Sequence, residues 1–131
     1  MGSTVGALFN DPTYRSLELA MNATAQRHAA IASNIANADT PGYRRVDLAP
    51  DFSTRLRSCL ESGKYDEAAS LKPTLAEDMT ARSVRPDGNT IEIERELLEM
   101  NRNSVEYNYL SEIVSRDIKQ LRLAITGTGS M

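Results

Sequence analysis

The chain has 131 residues, a net charge of -3 and a single cysteine, Cys59. That length suits one domain or one elongated element with a tail. The acidic balance excludes nucleic acid as main partner, since phosphate binding needs clustered Lys and Arg, and a lone cysteine closes no internal disulfide. Aromatics are 5% with no Trp, so Leu, Ile, Ala and Met must do the packing, as in helix bundles and coiled coils.

Residues 1–12 read as a flexible N-terminal segment. They lack the basic and apolar regions of a cleaved secretory signal. No run of about 18 apolar residues occurs along the chain, so nothing is expected to span a membrane.

A helix is predicted over 13–38. Asp11 can cap it, and Pro12 is tolerated at the first helical position. Tyr14, Leu17, Met21, Thr24, His28, Ile31, Ile35 and Ala38 alternate three and four apart, a heptad seam. Residues 39–90 are expected to be a turn followed by an irregular middle region. Phe52 to Leu60 suits a short helix, Lys64 to Leu71 a half-helical piece, and Thr90 to Ile93 an extended entry. Ser62-Gly63, Lys72-Pro73 and Arg85-Pro86-Asp87-Gly88 are breaks.

The second long helix is predicted over 91–126, before a flexible tail at 127–131. Its seam is Ile93, Leu97, Met100, Ser104, Tyr107, Ser111, Val114, Ile118, Leu121 and Ile125. Leu98, Val105, Leu110, Ile113 and Leu123 widen the apolar face beyond a two-stranded seam, so this helix wants more than one neighbour. The fold class expected is all-α, a coiled-coil hairpin of two long terminal helices with an irregular insertion.

Catalytic readings find little support. His28 lies among Met21, Thr24, Ile31 and Ile35, the company of a packing residue. Cys59 follows Arg55 and Arg57 but has no histidine near it in sequence. Glu92, Glu94, Glu96 and Glu99 suit a solvated helix N-terminus. No metal, nucleotide or cofactor motif occurs, and neither enzyme activity nor a small-molecule substrate is expected. Surplus apolar surface on both helices instead implies partner helices. From the residues alone, a polymerising subunit and a cytoplasmic adaptor or export chaperone that binds a partner helix both remain open.

The junction after the first helix carries the most specific string. Asn34 and Asn37, three apart, place two amides on one strip, free to bond another helix or backbone. Asp39 can form an Asx turn, and Thr40-Pro41-Gly42-Tyr43 suits a type II turn, Pro fixing φ and Gly accepting φ > 0. Tyr43, Arg44 and Arg45 are then expected to leave the turn as an aromatic and basic patch for a neighbour.

Ser33-Asn34-Ile35-Ala36-Asn37-Ala38-Asp39-Thr40-Pro41-Gly42-Tyr43 resembles the N-terminal signature of the bacterial flagellar rod and hook family of axial proteins. Asp87-Gly88-Asn89-Thr90-Ile91-Glu92-Ile93-Glu94-Arg95-Glu96 is similar to that family's entry to its C-terminal helix, and the ending Leu121 to Gly127 fits as well. The short middle makes the chain most like the family's proximal rod members. The resemblance implies a structural subunit of the basal-body rod, whose terminal helices pair in a coiled coil lining the axial tube. Its implied partners are copies of itself and other rod proteins, with the inner-membrane ring and export gate nearby. It implies export from the cytoplasm through the flagellar type III apparatus without a cleaved signal, residues such as Leu8 and Phe9 forming part of an uncleaved one. It also makes the string from Asn34 to Arg45 an assembly joint.

Overall fold

The computed structural model describes residues 11–81 and 84–127. Helix α1 spans Pro12–Ala36, and the Asp11 carboxylate accepts the Thr13 N–H at 3.0 Å as its N-cap. Strand β1, Val46–Leu48, is followed by helix α2, Pro50–Glu61, helix α3, Tyr65–Ser70, and strand β2, Leu75–Glu77. Helix α4 covers Ile93–Thr126, and Gly127 closes it at φ 65, donating its N–H to the Leu123 carbonyl. A left-handed C-terminal residue is the commonest helix stop, and glycine adopts it without a Cβ clash.

The architecture is mostly helical, with the two long helices packed together. They run antiparallel: Asn34 meets Glu96, Arg27 meets Glu99, and Thr24 meets Asn103. Where the sequence suggested an irregular middle, two short helices and an antiparallel strand pair fold against one flank of α1. The register pairs Val46 with Glu77, Asp47 with Ala76 and Leu48 with Leu75. Ala23, Ala30, Ile31, Ala38, Phe52, Ala68 and Ile91 form the buried apolar core. These are mostly small side chains, so the backbones approach closely but the stabilisation per residue is modest.

The helix contact has a property that the heptad pattern did not suggest. Its central positions are largely polar: Arg27 and Asn34 on α1, and Glu96, Glu99 and Asn103 on α4, make the hydrogen bonds just given. Thr24 and His28 from the first seam, with Ser104 and Tyr107 from the second, line one cleft. On the opposite flank Ala20, Arg27, Glu106 and Leu110 line a cleft of about 660 Å³ closed by α2 residues, including Phe52 and Leu56. Hence one flank of the hairpin carries the middle region, and His28, Ser104 and Tyr107 border the other.

Candidate functional site

The string Asn34 to Arg45 folds into a polar joint that ties the end of α1 to the start of α4. The Asn37 N–H closes α1 on the Ser33 carbonyl at 3.0 Å, and its Nδ2 donates to the same oxygen at 2.8 Å. Thr40 to Tyr43 make the turn, with Tyr43 N–H donating to the Thr40 carbonyl at 3.2 Å and Gly42 at φ 75. Pro41 fixes φ before that glycine, the type II requirement. The Thr40 hydroxyl bonds Asn37 Oδ1 at 3.1 Å, so Asn37 rather than Asp39, which is exposed, supplies the side-chain support of the turn.

Carbonyls left open at a helix end need donors, and a distant asparagine provides them. Asn89, fully buried, directs Nδ2 to the carbonyls of Asn37, Ala38 and Thr40 at 3.0, 3.1 and 2.8 Å. Its Oδ1 accepts the Ile91 N–H at 2.7 Å. Arg85 adds a second donor to the Ala38 carbonyl. The Asp87-Gly88 turn presses on the first turn: Gly42 N–H donates to the Asp87 carbonyl at 2.8 Å, and a Cβ on Gly88 would meet Gly42 Cα at 3.4 Å. The two stretches of family resemblance therefore touch one another.

Asn34 has no exposed surface and bonds both polar groups of Val46. Its Nδ2 donates to the Val46 carbonyl at 2.8 Å while its Oδ1 accepts the Val46 N–H at 3.0 Å. One side-chain amide thus substitutes for a neighbouring strand on the free edge of β1. Tyr43 folds back onto α1, its hydroxyl 3.0 Å from Ser33 Oγ and 3.2 Å from Asn34 Oδ1.

The charge centre of the joint is Arg45. It is 2% exposed and is held by Glu96, Asp47 at 2.8 Å and Asp78 at 3.0 Å. Asp47 also takes Arg27 at 3.0 Å, and Arg27 reaches Glu99 at 2.7 Å. Burial alone would lower the Arg45 pKa, but the hydrogen bonds to Asp47 and Glu96 outweigh it and hold the guanidinium above its ordinary value. Asp78 is shifted the other way. Its burial would raise the carboxyl, yet hydrogen bonds from Thr80 and the Arg45 cation keep it below the ordinary range. The cluster is a charged network in which Glu96, Asp47 and Asp78 all meet the Arg45 guanidinium, whose Nη2 is buried without a partner.

Three expectations are corrected. Arg45 is not a surface residue for a neighbour but an interior ion partner, because Glu96 enters the same pocket from α4. Tyr43 likewise turns inward, leaving Arg44 exposed at 3.4 Å from Glu77. His28 is exposed on the rim of the cleft rather than packed. Asp39, Thr40, Pro41 and Gly42 also face outward, while Ile35 and Asn37 are half-buried.

Of the seam residues, Ile31 is buried, and Leu17, Met21, Met100, Val114, Leu121 and Ile125 are half-buried. Ile93, Leu97, Tyr107 and Ile118 are exposed, Leu97 by 54%. A further apolar line on α4, Leu98, Val105, Tyr109 and Leu123, is also exposed. The roles of Arg27, Asp47, Asn89 and Asn103 were not marked by the sequence pattern; for Arg27 and Asn103 the one available signal was a polar residue one position off a helix seam. Cys59 has Glu67 Oε2 at 4.0 Å beside it rather than a basic group. Among the described residues no cluster of His, Cys, Asp and Glu could hold a metal ion, and no helix is long and apolar enough to cross a membrane.

Residues 15–44 match the profile of a family described as flagella basal body rod protein. Over most of its length the chain is similar to proteins named flagellar basal body rod protein FlgB. That of Yersinia ruckeri is 33% identical over 83% of this chain and 90% of its own. That of Escherichia coli K12 is 31% identical over 83% and 89% respectively. The Salmonella typhimurium protein is 29% identical over 89% of this chain and 95% of its own.

Proposed function

The chain belongs to the flagellar basal body rod protein family, and on that premise we propose that it builds the proximal part of the rod by docking through apolar helix faces. The family is a structural one. Membership decides for a rod subunit over a helical adaptor or chaperone that never polymerises. Copies of this chain and other rod proteins are the partners we propose, with the inner-membrane ring and export gate close by. The proposed route out of the cytoplasm is type III export on an uncleaved signal in residues 1–12, of which all but Asp11 and Pro12, Leu8 and Phe9 included, lie outside the described residues.

The observation that carries the reading is the unequal use of α4. Its polar residues serve the intrachain contact, while Leu97, Leu98, Val105, Tyr107, Tyr109 and Leu123 stay exposed. A helix apolar on more than one side is stable in water only when further helices cover it. The polar joint then has a separate job, to present those faces at a fixed angle.

The test pairs substitutions on the two kinds of surface. Leu97→Asp and Val105→Asp should leave the helical circular dichroism of the isolated chain unchanged and prevent its incorporation into basal bodies. Normal incorporation of both variants would defeat the proposal.

A further inference from the structure

We infer that the isolated chain forms an antiparallel two-fold pair with a second copy of itself, joined along the outer face of α4 and centred beside Tyr107. The pair stands apart from the rod reading. Its consequence rests on that reading: the outer face of α4 is capped until the chain is incorporated.

Helix α4 turns Glu96 and Asn103 toward α1, and the opposite side carries a stripe of its own. The stripe runs from Glu94 through Leu98, Val105 and Glu112 to Lys119, by way of positions 101, 108 and 115. Its spacings alternate between four and three, and every position on it is exposed. That is a heptad repeat of roughly three and a half turns of the pattern, the length a coiled-coil pair needs. It is distinct from the seam through Leu97 and Ile118.

Charge selects the occupant and its direction. Glu94 and Lys119 end the stripe, Arg102 and Glu112 lie inside them, and both pairs of opposite charges are centred on Tyr107 or beside it. A second α4 turned end for end about that point sets Glu94 against Lys119 and Arg102 against Glu112, each contact occurring twice. A parallel copy in register would set every one of these charges against its own kind, which costs free energy. Complementary charge of this sort fixes register and partner more than affinity. The groups are available for it. Among the described residues Glu94, Glu112 and Lys119 have no ion-pair partner, and Arg102 has only Glu99 at 3.5 Å.

Shape gives the same register independently. Ser111, Glu112, Ser115, Arg116 and Lys119 line an open hollow of about 510 Å³. Four of them, at 112, 115, 116 and 119, are the set that forms a hole for a helix knob, and Ser115 is too small to fill it. The hollow lies about as far beyond Tyr107 as Leu98 lies before it. Leu98, 48% exposed, therefore enters the hollow of the second copy when the charges are matched, and Val105 falls between its Asn108 and Tyr109. A two-fold contact closes on itself and cannot propagate. It also covers Val105, so the pair must open before the chain docks in a rod.

The experiment measures dimerisation of the full-length chain by analytical ultracentrifugation, with circular dichroism confirming that each variant is folded. Lys119→Glu should weaken the dimer about tenfold, since one substitution turns two exposed attractions into repulsions. Glu94→Lys should do the same. The two together restore opposite charges only in the antiparallel pair, and should return the dissociation constant to within about threefold of the original. Orientation is read from Leu98→Cys/Ser115→Cys in a Cys59→Ser background, treated with a short bismaleimide. Positions 98 and 115 are about 25 Å apart along one helix, so a link between them joins two copies. That link is expected in the unincorporated pool and absent from purified basal bodies. A chain that stays monomeric, a charge swap that restores nothing, or links joining like positions would each overturn the pair. Equal linkage in basal bodies would overturn the capping. Incorporation of Leu97→Asp is read separately, so the rod reading stands or falls on its own result.

Discussion

Arg45 and Glu96 show how much of this chain's specificity rests on single residues. Glu96 has no exposed surface, so removing its cation leaves a buried carboxylate unpaired. Arg45→Met should destabilise the chain by about 3–5 kcal/mol in urea unfolding, the usual cost of breaking one side of a buried pair. Replacing Arg45 and Glu96 together with apolar residues should recover part of that loss, since neither charge is then stranded. Gly88 fails for a different reason. At φ 83 its backbone is one that L side chains rarely adopt, and the added Cβ would meet Gly42 Cα at 3.4 Å. Gly88→Ala should cost about 1–3 kcal/mol in the same measurement, and a wild-type midpoint would show that Gly88 does not hold its positive φ in solution.

At the scale of elements, the two long helices divide their surfaces between two tasks. Polar residues at the centre of the α1–α4 contact fix its register, and α4 keeps Leu97, Leu98, Val105, Tyr107, Tyr109 and Leu123 exposed. Substitutions should separate the tasks. Ile31 is fully buried within the chain, so Ile31→Asp should abolish the folded helical signal itself. Leu97 is half-exposed, and Leu97→Asp should keep that signal; equal loss in both would mean that the seams hold the single chain together. The helices, the caps, the type II turn and the family signature were legible because each follows from local pattern and backbone chemistry. The inward turn of Arg45 was not. Its partners Asp78 and Glu96 lie far along the sequence, and an arginine after a turn ordinarily faces water. The strand pair was missed for a similar reason: three-residue strands carry too few alternating positions to register, and one edge is completed by the amide of Asn34.

For the whole molecule, the core is small and the charged network correspondingly important, so folding stability should depend on pH. Asp78 sits below its ordinary pKa in the folded chain. A carboxyl depressed by folding contributes stability above its unfolded pKa, and that contribution is lost as pH falls through the folded value. Urea midpoints should therefore fall on acidification below about pH 4, and Asp78→Asn should flatten the fall; an unchanged slope would place the acid sensitivity elsewhere. The larger claim is that the exposed apolar seam residues of α4 are covered only in the assembled rod. Thiol labelling tests it most directly, using Leu97→Cys and Ile118→Cys in a Cys59→Ser background, in isolated chain and in purified basal bodies. The account predicts rapid labelling of both positions in the isolated chain and protection of both in basal bodies. Equal labelling in the two states would contradict it.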